Sequence, residues 1–167
     1  AEGPEAETAF RFALAFGARL RAAGTGLRLF VQTEADRALA EAVAARLGAA
    51  APDVEIVAPP SVEAYLEALA AVDAVVASRF HALVLGLVAA RPVFGVHFEA
   101  HGHKIPGLFD LLGRPDLALN LSRAAPEDVA AEVVRRLDEG PVDPAALGTR
   151  LAALRAETLD RLRAVPP

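Results

Sequence analysis

Two segments decide the fold class: Asp73-Ala74-Val75-Val76-Ala77-Ser78-Arg79-Phe80-His81, and Arg91-Pro92-Val93-Phe94-Gly95-Val96-His97-Phe98 a few residues later. Residues 73–77 (DAVVA), a short valine-bearing run that is apolar after Asp73 and bounded by Ser78, read as a buried strand. Residues 80–90 have the length of a helix, although an apolar run alone leaves a strand open. Pro92 then begins a second strand over 93–98. A strand, a helix and a strand joined by short connectors make a βαβ unit with parallel strands.

The same alternation extends outward in both directions. Upstream, residues 5–23 read as a helix with Ala6, Phe10, Ala13, Leu14, Gly17 and Leu20 on one face, and Phe12 and Phe16 on a second. Gly24 and Gly26 end it. Residues 27–32 (LRLFVQ) read as a strand, and Thr33 or Asp36 is positioned to cap a helix over 35–47. Residues 54–58 read as another strand and 62–71 as a helix. Downstream, residues 99–104 are expected to form a Gly/His loop, followed by a short helix over 105–112 and an edge strand over 117–121. Pro126 suits the first turn of a helix reaching Leu137. A final amphipathic helix is expected over 144–164, with Leu147, Leu151, Leu154, Leu159 and Leu162 as its core face. The expected fold is α/β: a Rossmann-like, doubly wound, mostly parallel sheet with flanking helices, in one domain over 1–167. A helix opens the chain with no strand before it. Such a sheet usually places its first strand centrally, so the chain is expected to be a fragment lacking an upstream strand.

Composition narrows the function classes. The net charge of −5 and pI near 5.4 provide no general basic field, and the arginines are scattered along helices, so no nucleic-acid partner is expected. Cysteine is absent, which removes disulfides, zinc thiolates and a cysteine nucleophile together. The most apolar run, 82–90, is far short of the roughly 20 residues of a membrane span. A cytoplasmic location is expected, with the inner membrane face as an alternative.

Candidate chemistry concentrates between 78 and 107. All four histidines (His81, His97, His101, His103) lie between 81 and 103, and Lys104 is the only lysine, the other sixteen basic residues being arginine. Ligands of open parallel sheets bind beyond the carboxyl ends of the strands. Ser78, Arg79, Phe80 and His81 stand where a strand runs into a helix, whose free backbone N–H groups favour an anion. Arg79 adds a bidentate donor for phosphate or carboxylate, and His81 a group that exchanges a proton near neutral pH. The plainer reading is a capping or ion-paired arginine beside a locally bonded histidine. Lys104 follows the next strand on the same side of the sheet and suits a second anionic group; its plainer reading is a solvated loop lysine. His97, Glu99, His101 and His103 carry side chains that can ligate a metal, but no ligand pattern supports one and none is expected. Asp36, His97, Glu99 and His103 stand as second-tier site candidates. Walker, G-x-G-x-x-G and G-x-S-x-G patterns are missing, which disfavours P-loop, simple dinucleotide and α/β-hydrolase chemistry.

The order of motifs resembles the polysaccharide pyruvyl transferase family. The resemblance runs through Asp73–Ser78 and Arg79-Phe80-His81-Ala82-Leu83-Val84-Leu85. It continues through Arg91–Val96 to Lys104 and the Gly-Leu-Phe-Asp-Leu-Leu-Gly segment at 107–113. It covers most of residues 27–113 and includes Asp36. Phe80 stands where the family usually has leucine, and the spacing from Phe98 to Lys104 is longer, with His103 as an alternative to Lys104. The resemblance implies the C-terminal half of a two-domain fold similar to the GT-B glycosyltransferases, with a further N-terminal domain as partner. It implies transfer of the enolpyruvyl unit of phosphoenolpyruvate to two hydroxyls of a sugar or polysaccharide acceptor, with no cofactor. Arg79, His81 and Lys104 match the family's donor-binding residues. A non-catalytic sugar-nucleotide or anion-binding module, the donor half of a GT-B glycosyltransferase, and a structural dimerisation domain remain as alternatives. A homo-oligomer is compatible with all of them.

Overall fold

Helix formation at the start of the chain follows from its punctuation. Pro4 supplies a preset backbone angle at the first turn, Glu5 and Glu7 sit at the positive end of the helix, and Arg19 and Arg21 at its negative end. The computed structural model describes residues 3–48, 53–140 and 143–163, without the side chains at 35, 144, 145, 158, 159, 161 and 162. Within them the order is α1 (Pro4–Ala22), β1 (Leu27–Phe30), α2 (Glu34–Leu47), β2 (Val54–Val57), α3 (Val62–Ala70), β3 (Val75–Ala77), α4 (Phe80–Val88), β4 (Val93–His97), α5 (Lys104–Leu111), β5 (Ala118–Asn120), α6 (Pro126–Asp138) and α7 (Pro144–Arg163). Short 3-10 turns cover Glu99–His101 and Pro115–Leu117. Among the described residues no helix is long and apolar enough to cross a membrane.

The expected α/β alternation with parallel strands is present and is compatible with a Rossmann-like fold. The strands form two sheets, ordered β1-β2 and β3-β4-β5, where one sheet was expected. Alternation along the chain dictates strand direction. Lateral neighbours depend on which edges meet, and periodicity carries no record of that. Contacts also gather into two units, residues up to 68 with 120–140, and residues 69–119 with those from 143 onward.

In the first unit β1 and β2 pair in parallel, Leu27 opposite Val54 and Phe30 opposite Val57. The buried positions of α1 are Phe12, Phe16, Gly17 and Leu20. The face expected to be secondary is therefore part of the main one. Phe12 and Phe16 stack with centroids 5.9 Å apart, and α1 packs along α6 and against α2. A Cβ at Gly17 would stand 2.6 Å from Leu47 Cδ1 and 2.9 Å from Leu27 Cδ2, so α1 approaches both elements without room for a methyl group. Ion pairs trim the unit. Arg11 binds Glu127 through two hydrogen bonds, Arg28 binds Glu55, and Arg21 binds Asp53 while also donating to the Leu47 carbonyl at the end of α2. On α6, Glu132 accepts from both Arg135 and Arg136, and Arg135 also reaches Glu139.

In the second unit β3 and β4 are parallel, Val75 opposite Val93 and Ala77 opposite Gly95. All of Val93–Val96 is buried, as expected for a parallel strand covered on both faces. Gly86 lets α4 lie against this pair, since a Cβ there would meet Val93 Cγ1 at 2.8 Å and Val75 Cγ2 at 3.3 Å. Helix α4 ends where Ala90 takes a left-handed conformation (φ 53) and the Arg91 N–H donates back to the Gly86 carbonyl at 3.0 Å. That closes the helix by backbone geometry alone. Helix α5 covers β4, and Arg150 of α7 donates to the Leu111 carbonyl at its end. Leu147 of α7 is buried and Leu151 and Leu154 are half-buried, as expected. Leu159 and Leu162 fall outside the described side chains.

Candidate anion site at two strand ends

Because β3 and β4 are parallel neighbours in register, the chain leaves both at the same edge of the sheet. Ser78 follows β3, and Arg79 is the N-cap of α4. The first N–H of this helix to bond back is that of Leu83, to the Arg79 carbonyl at 3.2 Å. The Phe80, His81 and Ala82 N–H groups therefore have no acceptor within the helix. Ser78, Arg79 and His81 are exposed and Phe80 is half-buried. The His81 ring meets Phe80 edge-on, centroids 6.0 Å apart and planes at 82°. This gives the imidazole an apolar neighbour on one side and open solvent elsewhere.

The neighbouring strand end departs from expectation. Instead of a loop over 99–104, the backbone makes a 3-10 turn at Glu99–His101, and Lys104 is the first residue of α5. His103 is the N-cap, with Gly107 N–H donating to its carbonyl at 2.7 Å. The plainer reading of Lys104 as a loop residue thus gives way to a cation at a helix start, a position that its own charge disfavours. Because Pro106 has no N–H, the first turn of α5 offers only the Lys104 and Ile105 donors. Lys104 is exposed, and among the described residues its ammonium has no ion-pair partner.

Between Asp73 and Asp110 the chain carries one acid, Glu99, against Arg79, Arg91 and Lys104 and all four histidines. This stretch is locally basic within an acidic protein, and it supplies the loops at the shared strand edge. The remaining histidines separate by role. His97 ends β4 half-buried, with its Nδ1 shielded from solvent. His101 is exposed and packs edge-on against the buried Phe98 ring, 5.6 Å between centroids. Glu99 and His103 are exposed. Among the described residues no three His, Asp or Glu side chains converge as a metal centre.

Asp36 belongs to the first unit. Its Oδ2 accepts from Thr33 N–H at 2.9 Å, Thr33 Oγ1 at 3.0 Å and Gln32 N–H at 3.3 Å. Both residues expected as caps therefore share one capping box at the head of α2. Nearby, Tyr65 is buried against Phe30, and burial pushes its phenol above the ordinary range despite a hydrogen bond with Gln32.

The sequence reading missed the contribution of Gly86 and Gly95, which bind nothing but determine how closely α4 and α5 approach the strands. The available signal was a glycine inside each of two apolar runs. The family model described as polysaccharide pyruvyl transferase matches residues 13–97, half of the chain. Asp36, Ser78, Arg79, Phe80, His81 and His97 fall within that match, and Glu99, His103 and Lys104 beyond it. No curated protein and no solved structure matches significantly.

Proposed function

The chain belongs to the polysaccharide pyruvyl transferase family, and from that premise we propose that it is the donor-binding half of a two-domain, GT-B-like enzyme that moves pyruvate from phosphoenolpyruvate onto a sugar diol. The observation that carries this reading is the pairing of two basic helix starts, Arg79–His81 and Lys104, after adjacent parallel strands. Phosphoenolpyruvate brings a phosphate and a carboxylate on one small carbon frame, and two cationic subsites at one sheet edge suit that charge pattern. The donor is a substrate, and the reaction needs no cofactor.

In the proposed reaction Arg79, Lys104 and the free N–H groups of α4 bind the donor's anionic groups. His81 gives a proton to the terminal methylene carbon, which becomes the methyl group, and the adjacent carbon becomes cation-like. One sugar hydroxyl forms a C–O bond to that carbon, and its proton restores His81. The bond to phosphate breaks, a second hydroxyl closes the ketal, and its proton leaves with the phosphate. The acceptor cleft is formed with an N-terminal domain, so the isolated chain binds donor weakly and turns over little.

The test has two arms. In the complete enzyme, His81→Ala lowers turnover about 100-fold or more, and Lys104→Ala weakens phosphoenolpyruvate roughly tenfold. Donor affinity and turnover unchanged in both variants would remove the assignment. Titration of the chain itself with phosphoenolpyruvate and with a nucleotide sugar, followed by ligand-observed NMR, gives the second arm. Tighter binding of the nucleotide sugar would make this a glycosyltransferase-like half instead. Raising ionic strength should weaken the phosphoenolpyruvate complex, because exposed charges carry it.

A further inference from the structure

We infer that Gly95 is a positioning residue for the donor site, acting through Lys104; the inference rests on the pyruvyl transfer reading. Gly95 lies in β4 opposite Ala77, and its backbone has no positive φ, so no turn requires a glycine there. What requires it is space. A Cβ at this position would stand 2.5 Å from Ile105 Cγ2 and 2.6 Å from Phe109 Cε2, well inside contact distance, and 3.4 Å from Leu83 Cδ1. Ile105 and Phe109 are one helical turn apart on α5 and both are buried. They straddle Gly95, so this one residue determines how closely α5 lies on the strand.

The consequence for the site follows from adjacency. Lys104 precedes Ile105 and opens α5, and its exposed side chain has no partner among the described residues to hold it in place. Its position is therefore inherited from the seat of Ile105 on Gly95. The Arg79–His81 side is seated differently, through Gly86 against Val75 and Val93. On that side a Cβ at 95 would come to Leu83 at ordinary contact distance, and the pairing of Gly95 with Ala77 runs through the backbone, which a methyl group leaves in place. A methyl group at 95 thus displaces the lysine half of the site and leaves the arginine–histidine half where it is. Close-packed interiors transmit such a displacement rather than absorb it.

A double-mutant cycle on phosphoenolpyruvate affinity in the complete enzyme decides the matter. Gly95→Ala is expected to weaken the donor roughly fivefold, somewhat less than Lys104→Ala. In a Lys104→Ala background the same change should have almost no further effect. Trimming the two atoms it strikes, as Gly95→Ala/Ile105→Leu/Phe109→Leu, should restore affinity, since leucine lacks the Cγ2 of isoleucine and the ring edge of phenylalanine. Circular dichroism confirms folding of each variant, and the milder Ile105→Leu alone should retain wild-type affinity. If Gly95→Ala weakens binding equally with and without Lys104, Gly95 acts through general packing and the inference falls while the donor site stands. If Lys104→Ala leaves affinity untouched, the lysine subsite fails and takes this inference with it.

Discussion

The two units differ in how evenly acids and bases are spread along their strands and loops. In the unit built on β1 and β2, arginines are matched to acids: Arg11 with Glu127, Arg21 with Asp53, Arg28 with Glu55, and a Glu132–Arg135–Arg136–Glu139 cluster on α6. In the unit built on β3, β4 and β5, the strand-edge segment from 74 to 109 carries one acid among its basic residues. Helices α4 and α5 lie on the strands through apolar contacts and glycine-sized gaps, and ion pairs such as Arg114–Asp116 and Arg150–Glu157 fall outside that segment. Acids and bases spread along one segment largely cancel, whereas a segment with one acid among several bases concentrates positive charge. The difference separates locally balanced charge from locally concentrated charge within one α/β chain.

The strongest way to break this comparison is to attack the apolar frame. Phe109 is fully buried between α5 and β4, and Phe109→Ala should cost about 3–5 kcal/mol. Urea unfolding checks this, and a loss under about 1 kcal/mol would mean that α5 is not seated by packing. A smaller change of opposite sign sharpens the claim that backbone geometry ends α4. Ala90 adopts φ 53, which costs an L-residue about 1–2 kcal/mol. Glycine recovers that but loses roughly 0.4–1 kcal/mol through the unfolded chain. Ala90→Gly should therefore stabilise by roughly 0.5–1 kcal/mol, seen as a raised melting temperature; a lowered one would contradict it.

The smallest effect belongs to the matched charges. Hydrogen bonds from Arg135 and then Arg136 hold the Glu132 carboxyl down to about 2, against an ordinary 4.5. A carboxyl depressed on folding adds stability above its unfolded value and loses it as pH falls toward the folded one. The Glu132 contribution should thus be intact above pH 4.5 and fade between there and about 2. Because the side chain stays partly open to solvent, which screens the pair, the gain is a small fraction of overall stability. Comparing wild type with Glu132→Gln across that window measures it; parallel pH curves would show that these pairs contribute nothing.

Much of this was legible beforehand, for identifiable reasons. Valine-rich runs bounded by Ser78 and Pro92 marked β3 and β4, because parallel strands buried on both faces must be apolar throughout. Pro126 marked a helix start, and the resemblance of Arg79-Phe80-His81 to a family motif rests on adjacent residues. Other features were less legible. Phe12 and Phe16 looked like a second face because period alone does not say which side meets α6. Lys104 was read as loop because Gly102 and three histidines surround it, yet α5 begins at the lysine itself. Asp36 looked equally suited to a site and a cap, and its three hydrogen bonds show the cap.

The amino-acid sequence alone determined the alternation of strand and helix, the acidic balance, the missing thiols, and the basic cluster after two successive strands. Those are properties of neighbours along the chain, where side-chain period and turn chemistry act directly. Only the tertiary structure decided that the strands divide into two sheets, that Lys104 heads a helix, and that Gly95 sets the seat of that helix. Each of these depends on atoms far apart in sequence meeting within a few ångströms, and close packing enforces that without leaving a periodic trace.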